Sequence, residues 1–260
     1  LRTVPNAFGK MNELTIITDD EIWESDLGDT IEFYYTSAFP ILPQPEPILD
    51  VKHFSAQDLK ADRLRKELRT YLVIANLSDP GSGTTRLVKD ELNTNVIEQI
   101  RASSGNFVVK DRWARGQVII FLLADGMEEL ENKIKNSFPS VLKKVKEHDR
   151  RKLEATVYLE GQEPKLEREV MDKMGINMRI PGDYFQAVSD GKIIWMRRET
   201  DVLSSNIIIS RQPYTDRSQL SPENLKAIRD SIGRQYVSSQ IPDTYMKIND
   251  VDLPMLTNVT

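Results

Sequence analysis

Apolar residues in the first 150 positions fall alternately into short continuous runs and helical stripes. "NELTIITDDE" (12–21) reads as a short buried strand entering a helix. Thr18 and Glu21 there match the S/T-x-x-E capping pattern. Ile22, Leu27, Ile31, Tyr34 and Ala38 recur near the helical period, predicting one amphipathic helix over 19–37. A strand at 48–54, a short charged helix at 57–68 and a strand at 70–77 ("TYLVIANL") follow. The helical stretch 87–102 leads to strands at 106–111 and 117–125. The last of these is apolar on both faces, which predicts an inner position in its sheet. A helix from Gly126 carries Met127, Leu130, Ile134 and Phe138 on one side, and Pro139 is expected to kink or restart it. A charged segment (149–161) comes before Pro164, which suits the first turn of a helix ended by Gly175.

The last third changes character. "YFQAV-SDG-KIIWM" (184–196) is two apolar runs around an Asp-Gly turn, a hairpin signal, and "NIIIS" (206–210) supplies a third strand. Ser221-Pro222-Glu223 opens a helix with Leu225, Ile228, Ile232 and Tyr236 as its core side. These patterns predict an α+β fold of two sandwich-like halves, with mostly antiparallel sheets and helices packed on one face. Residues 1–150 form the first half and 151–260 the strand-rich second, with 148–163 as the boundary region. One continuous domain is the alternative.

Composition narrows the chemistry. The charged fraction is 29% and the apolar fraction 39%, which suits a globular chain rather than a disordered one. Net charge is −5, so no general affinity for nucleic acid is expected. The basic run "KKVKEHDRRK" (143–152) is interrupted by Glu147 and Asp149 and reads as a solvated helix face. No apolar run reaches the ~18 residues that span a bilayer. Without cysteine there are no disulfides, thiolate metal sites or cysteine nucleophile. The two histidines have no metal-ligand spacing: His148 is expected to be exposed and His53 to be a satisfied strand residue. No cofactor, metal ligand or catalytic residue is assigned.

Several features invite chemistry and have plainer readings. The acidic run Asp19, Asp20, Glu21, Glu24, Asp26 and Asp29 lacks calcium-loop spacing and suits a helix start. "SDPGSGTTR" (78–86) is a Gly-rich turn between strand and helix, where backbone N–H groups can cradle an anion, but it lacks the phosphate-loop lysine. In "DRWARGQ" (111–117), Trp113 between Arg112 and Arg115, with Gln117, offers an apolar face beside planar donors for a sugar, a carboxylate or a protein. The plainer alternative is a Trp covering the sheet while the arginines pair with acids. "WMRRETD" (195–201) is similar, with alternation placing Trp195 and Arg197 on one face and Met196 and Arg198 on the other. "FPILPQPEPILD" (39–50) reads as a rigid extended connector, with Gln44 and Glu46 as candidate interface residues.

The ordered blocks "PNAFGKMNELTII", "W…LGD", "LPQPEPILDV", "RWARGQVIIFL", "GINMRIPGDYFQAV", "IIWMRRETD", "IIISRQPYTD", "RDSIGRQYV" and "TYMKIND" span nearly the whole chain. In that order they resemble the Bacteroidota envelope lipoproteins grouped as domain of unknown function 4837. The resemblance implies a secretion signal and a lipidated cysteine upstream of Leu1. It thus implies a chain tethered by lipid in the cell envelope, on the periplasmic face or the cell surface. The family has no established activity, so it carries over no site residue. The expected role is non-catalytic binding or assembly with an envelope protein or glycan. The alternative is a hydrolase acting on envelope glycan or peptide through paired carboxylates.

Overall fold

The computed structural model describes residues 4–39, 44–102 and 106–251. The chain divides into two units, 1–156 and 157–260, with the division near the end of a long helix. In the first unit the elements are β1 (Glu13–Ile17), α1 (Asp20–Trp23), α2 (Asp26–Tyr35), β2 (Asp50–Phe54), α3 (Ala56–Ala61), β3 (Thr70–Asn76), α4 (Gly83–Glu91), α5 (Thr94–Ala102), β4 (Phe107–Lys110), β5 (Val118–Ala124) and α6 (Met127–Val157). The strands form one sheet in the order β2-β1-β3-β5-β4. All neighbours run parallel except β4, which is antiparallel to β5.

The first sheet therefore departs from the expected antiparallel, one-faced layer. It is mostly parallel, and helices cover both faces. Leu72 and Ile74 of β3 join Ile120 and Leu122 of β5 against α1, α2 and α6. Tyr71, Val73 and Ala75 join Ile119, Phe121 and Leu123 against α3, α4 and α5. Strands joined by crossover helices are buried on both sides, so their apolar runs are continuous. The inner position expected for 117–125 holds.

Other departures have local causes. The helix expected over 19–37 breaks after Trp23. The Ser25 hydroxyl accepts from Leu27 N and restarts it, and a Cβ on Gly28 would lie 1.8 Å from the Trp23 carbonyl oxygen. The Thr18–Glu21 capping box does not form: Asp19 is the N-cap, and the Thr18 hydroxyl is buried without a partner among the described residues. The helix expected over 87–102 starts earlier, at Gly83, and breaks at Leu92, where the Asn93 side chain accepts from Val96 N at 2.9 Å. Pro139 neither ends nor restarts α6, which continues for 31 residues.

Of the proline block, residues 40–43 lie outside the described residues. Its flanks pair with each other: Phe39 N donates to Glu46 O and Ile48 N donates to Ser37 O, both at 2.8 Å. The described ends of the block are thus held side by side, where a straight connector would set them apart.

In the second unit α7 (Pro164–Met174) packs on β6 (Phe185–Ser189), β7 (Ile193–Glu199) and β8 (Ser204–Ser210), an antiparallel sheet. Here the expected antiparallel layer with a helix on one face holds. Leu166, Val170 and Met174 meet Ile180, Ile194 and Met196. Gly175 ends α7 in the left-handed region (φ 72°). The last helix, α8 (Pro222–Tyr236), buries only Gly233, so its expected core stripe is half-exposed. A Cβ on Gly233 would lie 1.7 Å from the Met246 carbonyl oxygen, because the following segment crosses the helix there.

Candidate functional site

In open sheets with parallel strands, ligands collect beyond the carboxyl ends of the strands where the strand order reverses. That point here lies between β1 and β3, whose crossovers leave in opposite directions. A cleft of about 740 Å³ opens there, lined by the segments that follow β1, β2 and β3. The β1 exit contributes Asp19, Asp20 and Glu21; the β2 exit Ser55, Gln57 and Lys60; the β3 exit Asn76, Asp79, Ser82 and Arg86.

The walls are held by side-chain hydrogen bonds. Asp19 Oδ1 accepts from Thr84 N and Thr84 Oγ1, each at 3.0 Å, and Asp19 Oδ2 accepts from the Ser82 hydroxyl. Ser82 Oγ in turn accepts from Thr85 N at 2.9 Å, as the N-cap of α4. The Gly-rich turn that suggested an anion cradle therefore already holds an anion, the chain's own carboxylate. Ser55 and Asp58 cap α3 reciprocally. Asn76 Oδ1 accepts from Ser78 N and Gly126 N, tying β3 to the turn after β5.

What remains for a ligand is a mixed set of charges. Asp79 Oδ1 is committed to Gly81 N at 2.8 Å, and Arg86 donates to Gly81 O at 3.2 Å. Asp20, Glu21 and Lys60 form no ion pair among the described residues, and all three are exposed. Among those residues no group of three or more His, Asp or Glu side chains could hold a metal ion. Several carboxyls elsewhere are held below the usual range, Asp58 by the Ser55 N–H and Glu169 by Lys173. A general acid needs the opposite shift.

None of the sequence-derived candidates lines this cleft. Glu91 gathers two of them: its Oε1 accepts from Trp113 Nε1 at 2.8 Å and its Oε2 from Arg112 Nε at 2.6 Å. Trp113 also meets the Tyr71 ring edge-on at 5.2 Å. Gln117 is buried. It donates to the Lys66 and Leu68 carbonyls and accepts from Trp113 N, which pins the turn. The Arg115 side chain is exposed, while its backbone bridges to the segment around Asn6. Gln44 and Glu46 are exposed.

In the second unit Trp195 donates to Asn206 Oδ1 at 2.9 Å, and Arg197 pairs with Glu199. Met196 is in the core on the other face, as alternation predicts. His53 stacks on Trp23 (4.5 Å between ring centroids) and bonds the Thr18 carbonyl, the satisfied strand role expected of it. His148 differs from expectation. It is half-buried, and its Nε2 has no partner among the described residues. None of the cleft was named as a site from sequence; the Gly-rich turn and the acidic run that line it were both read as structural.

The family model of a domain of unknown function, DUF8532, matches residues 7–158. The chain belongs to this family. Its DUF8532 region coincides closely with the first unit and contains the cleft. A second model, DUF4837, also a domain of unknown function, matches residues 163–260. The resemblance drawn from sequence is supported there, over the last part of the chain rather than nearly all of it. No match was found among curated proteins or among solved structures. Among the described residues no helix is long and apolar enough to cross a membrane.

Proposed function

We propose that this chain is a non-catalytic binding protein of the cell envelope, tethered by lipid attached upstream of Leu1, whose cleft takes a small zwitterionic ligand. One observation carries the reading. The cleft opens at the reversal of strand order, and its unpaired charges are of both signs, Asp20 and Glu21 facing the same space as Lys60. A molecule with one cationic and one anionic group, such as a short peptide or an amino-acid-bearing glycan fragment, matches that lining. The envelope setting rests on the likeness of residues 163–260 to DUF4837.

Hydrolysis by paired carboxylates is the weaker reading. Of the four acids at the cleft, Asp19 caps α4 and Asp79 closes its own turn. Asp20 and Glu21 are neighbours on one short helix, not a pair facing each other across a substrate. The test is native mass spectrometry of the full-length protein isolated from envelope. A polar small molecule retained by the wild type and lost from Asp20→Ala/Lys60→Ala is expected. An empty wild-type cleft against dipeptide and amino-sugar panels, or turnover of any of them, would sink the reading.

A further inference from the structure

We infer that a second pocket, on the far side of the DUF8532 region's β5, binds an organic anion with a phosphoryl or clustered-carboxylate head. The pocket, about 480 Å³, is lined by β4, the turn from Asp111 to Gln117, and α6. It shares no residue with the cleft. Lys144, Glu147, His148 and Arg151 line it from α6, and their spacing puts them on one helical face. Lys110 lines it from the end of β4.

Charge decides the ligand's sign. Of the two acids, Asp111 is committed to its own turn, its Oδ1 accepting from Gly116 N at 2.5 Å. Glu147 lies 3.8 Å from Lys143, on the same helix. Lys110, Lys144 and Arg151 have no ion pair among the described residues. Three cations around one recess repel each other, and a multivalent anion would relieve that repulsion.

Shape decides that the ligand has an organic part. Val108 and Val118 add apolar wall, and the volume falls in the range of roughly 300–1,000 Å³ typical of small-molecule sites. His148 adds a hydrogen-bonding group. Burial, then Arg69, holds its imidazole below the usual value. The solvated-face reading of 143–152 still describes Lys143, Lys146 and Arg150, which are exposed and do not line the pocket.

The test is calorimetric titration of the full chain with pyrophosphate and, separately, citrate, at fixed ionic strength. Saturable binding of at least one is expected, weakened by roughly tenfold or more in Lys144→Gln/Arg151→Gln, the size of a lost charge-assisted hydrogen bond. Pyrophosphate alone would assign a phosphoryl head, and citrate alone a carboxylate cluster. Binding of neither would overturn the proposal, as would equal binding by the double variant. So would loss of anion binding in Asp20→Ala/Lys60→Ala, which would move the anion to the cleft. Lys144 is half-buried and Arg151 exposed, neither belongs to the core cluster under α6, and an unchanged melting midpoint without ligand shows that the variant is folded.

Discussion

The two sheets of this chain solve the same problem with very different resources. In the first, β3 and β5 are buried on both faces, and each face has its own core cluster. In the second, one helix covers one face, and the buried cluster has six residues. Exposed apolar side chains collect there as well, among them Leu159, Phe185, Val202, Leu203 and Tyr214. Hydrophobic burial grows with the number of covered faces, so the first unit has stability to spend on an open, charged cleft. The second has little margin, and its segments lean on side-chain hydrogen bonds such as Tyr236 to Asp190 and Ile248 N to Asp230.

The comparison is broken most directly by core truncation. Phe121→Ala, on a fully enclosed strand, should cost about 3–5 kcal/mol in urea denaturation, while Met196→Ala should cost nearer ~2 kcal/mol because its half-exposed neighbours can close in. Equal losses would mean that the second unit is as tightly packed as the first. Gly233→Ala should come next, at about 1–3 kcal/mol, by forcing the segment at Met246 off α8. Limited proteolysis should then cut near residue 246 while the first unit stays intact.

Asp19→Ala should cost about 1–2 kcal/mol by removing the acceptor for Thr84 N and the Ser82 hydroxyl. Added phosphate should recover part of the loss in the variant and none in the wild type, read as a shift in melting midpoint.

Acid should separate the units more gently. Glu169, Asp190, Asp216 and Asp250 in the second unit are all held below their usual values: Glu169 by Lys173, Asp190 by Tyr236, Asp216 by Ser218, Asp250 by Lys226. A carboxyl depressed in the folded state adds stability above its unfolded value, and that stability is lost as pH falls through the folded value. Asp58 and Glu129 of the first unit are also held low, so both units weaken below about pH 4. The second, with more such groups and the smaller core, should loosen first, visible as earlier amide exchange in β6–β8 than in β5. His148 adds a small slope in the first unit at higher pH. Its depressed value means that the unfolded chain takes up the proton first, so stability falls as pH drops below about 6.5. His148→Gln should flatten that slope.

Much of the fold was legible because strand and helix periods are local properties. "TYLVIANL" and "VIIFLLA" could hardly be anything but enclosed strands, and Pro164 and Gly175 bracket α7 as their backbone preferences require. Parallel pairing was not legible in the same way, because period reports which faces are buried and not which strand lies alongside. The doubly apolar run 118–124 was nevertheless a usable signal for it. The cleft was missed for a related reason. Its residues leave three strands at 19–21, 55–60 and 76–86, and they converge only once β1 is known to lie between β2 and β3. Trp113 drew attention as a lone aromatic among arginines, while its bond to Glu91, 22 residues earlier, could not be read from spacing.

Asp19 gives the cleft a particular evolutionary grammar. Its carboxylate serves two crossovers at once, so positions 19, 82 and 84 act as one unit of inheritance rather than three. A substitution at 19 that suited a new ligand would strand the hydroxyls opposite it, and a change at 82 alone would leave Asp19 Oδ2 without its donor. Paired replacements are the open route, so the mouth of this cleft should diversify in coupled steps while Gln57 and Lys60, outside that triad, vary singly.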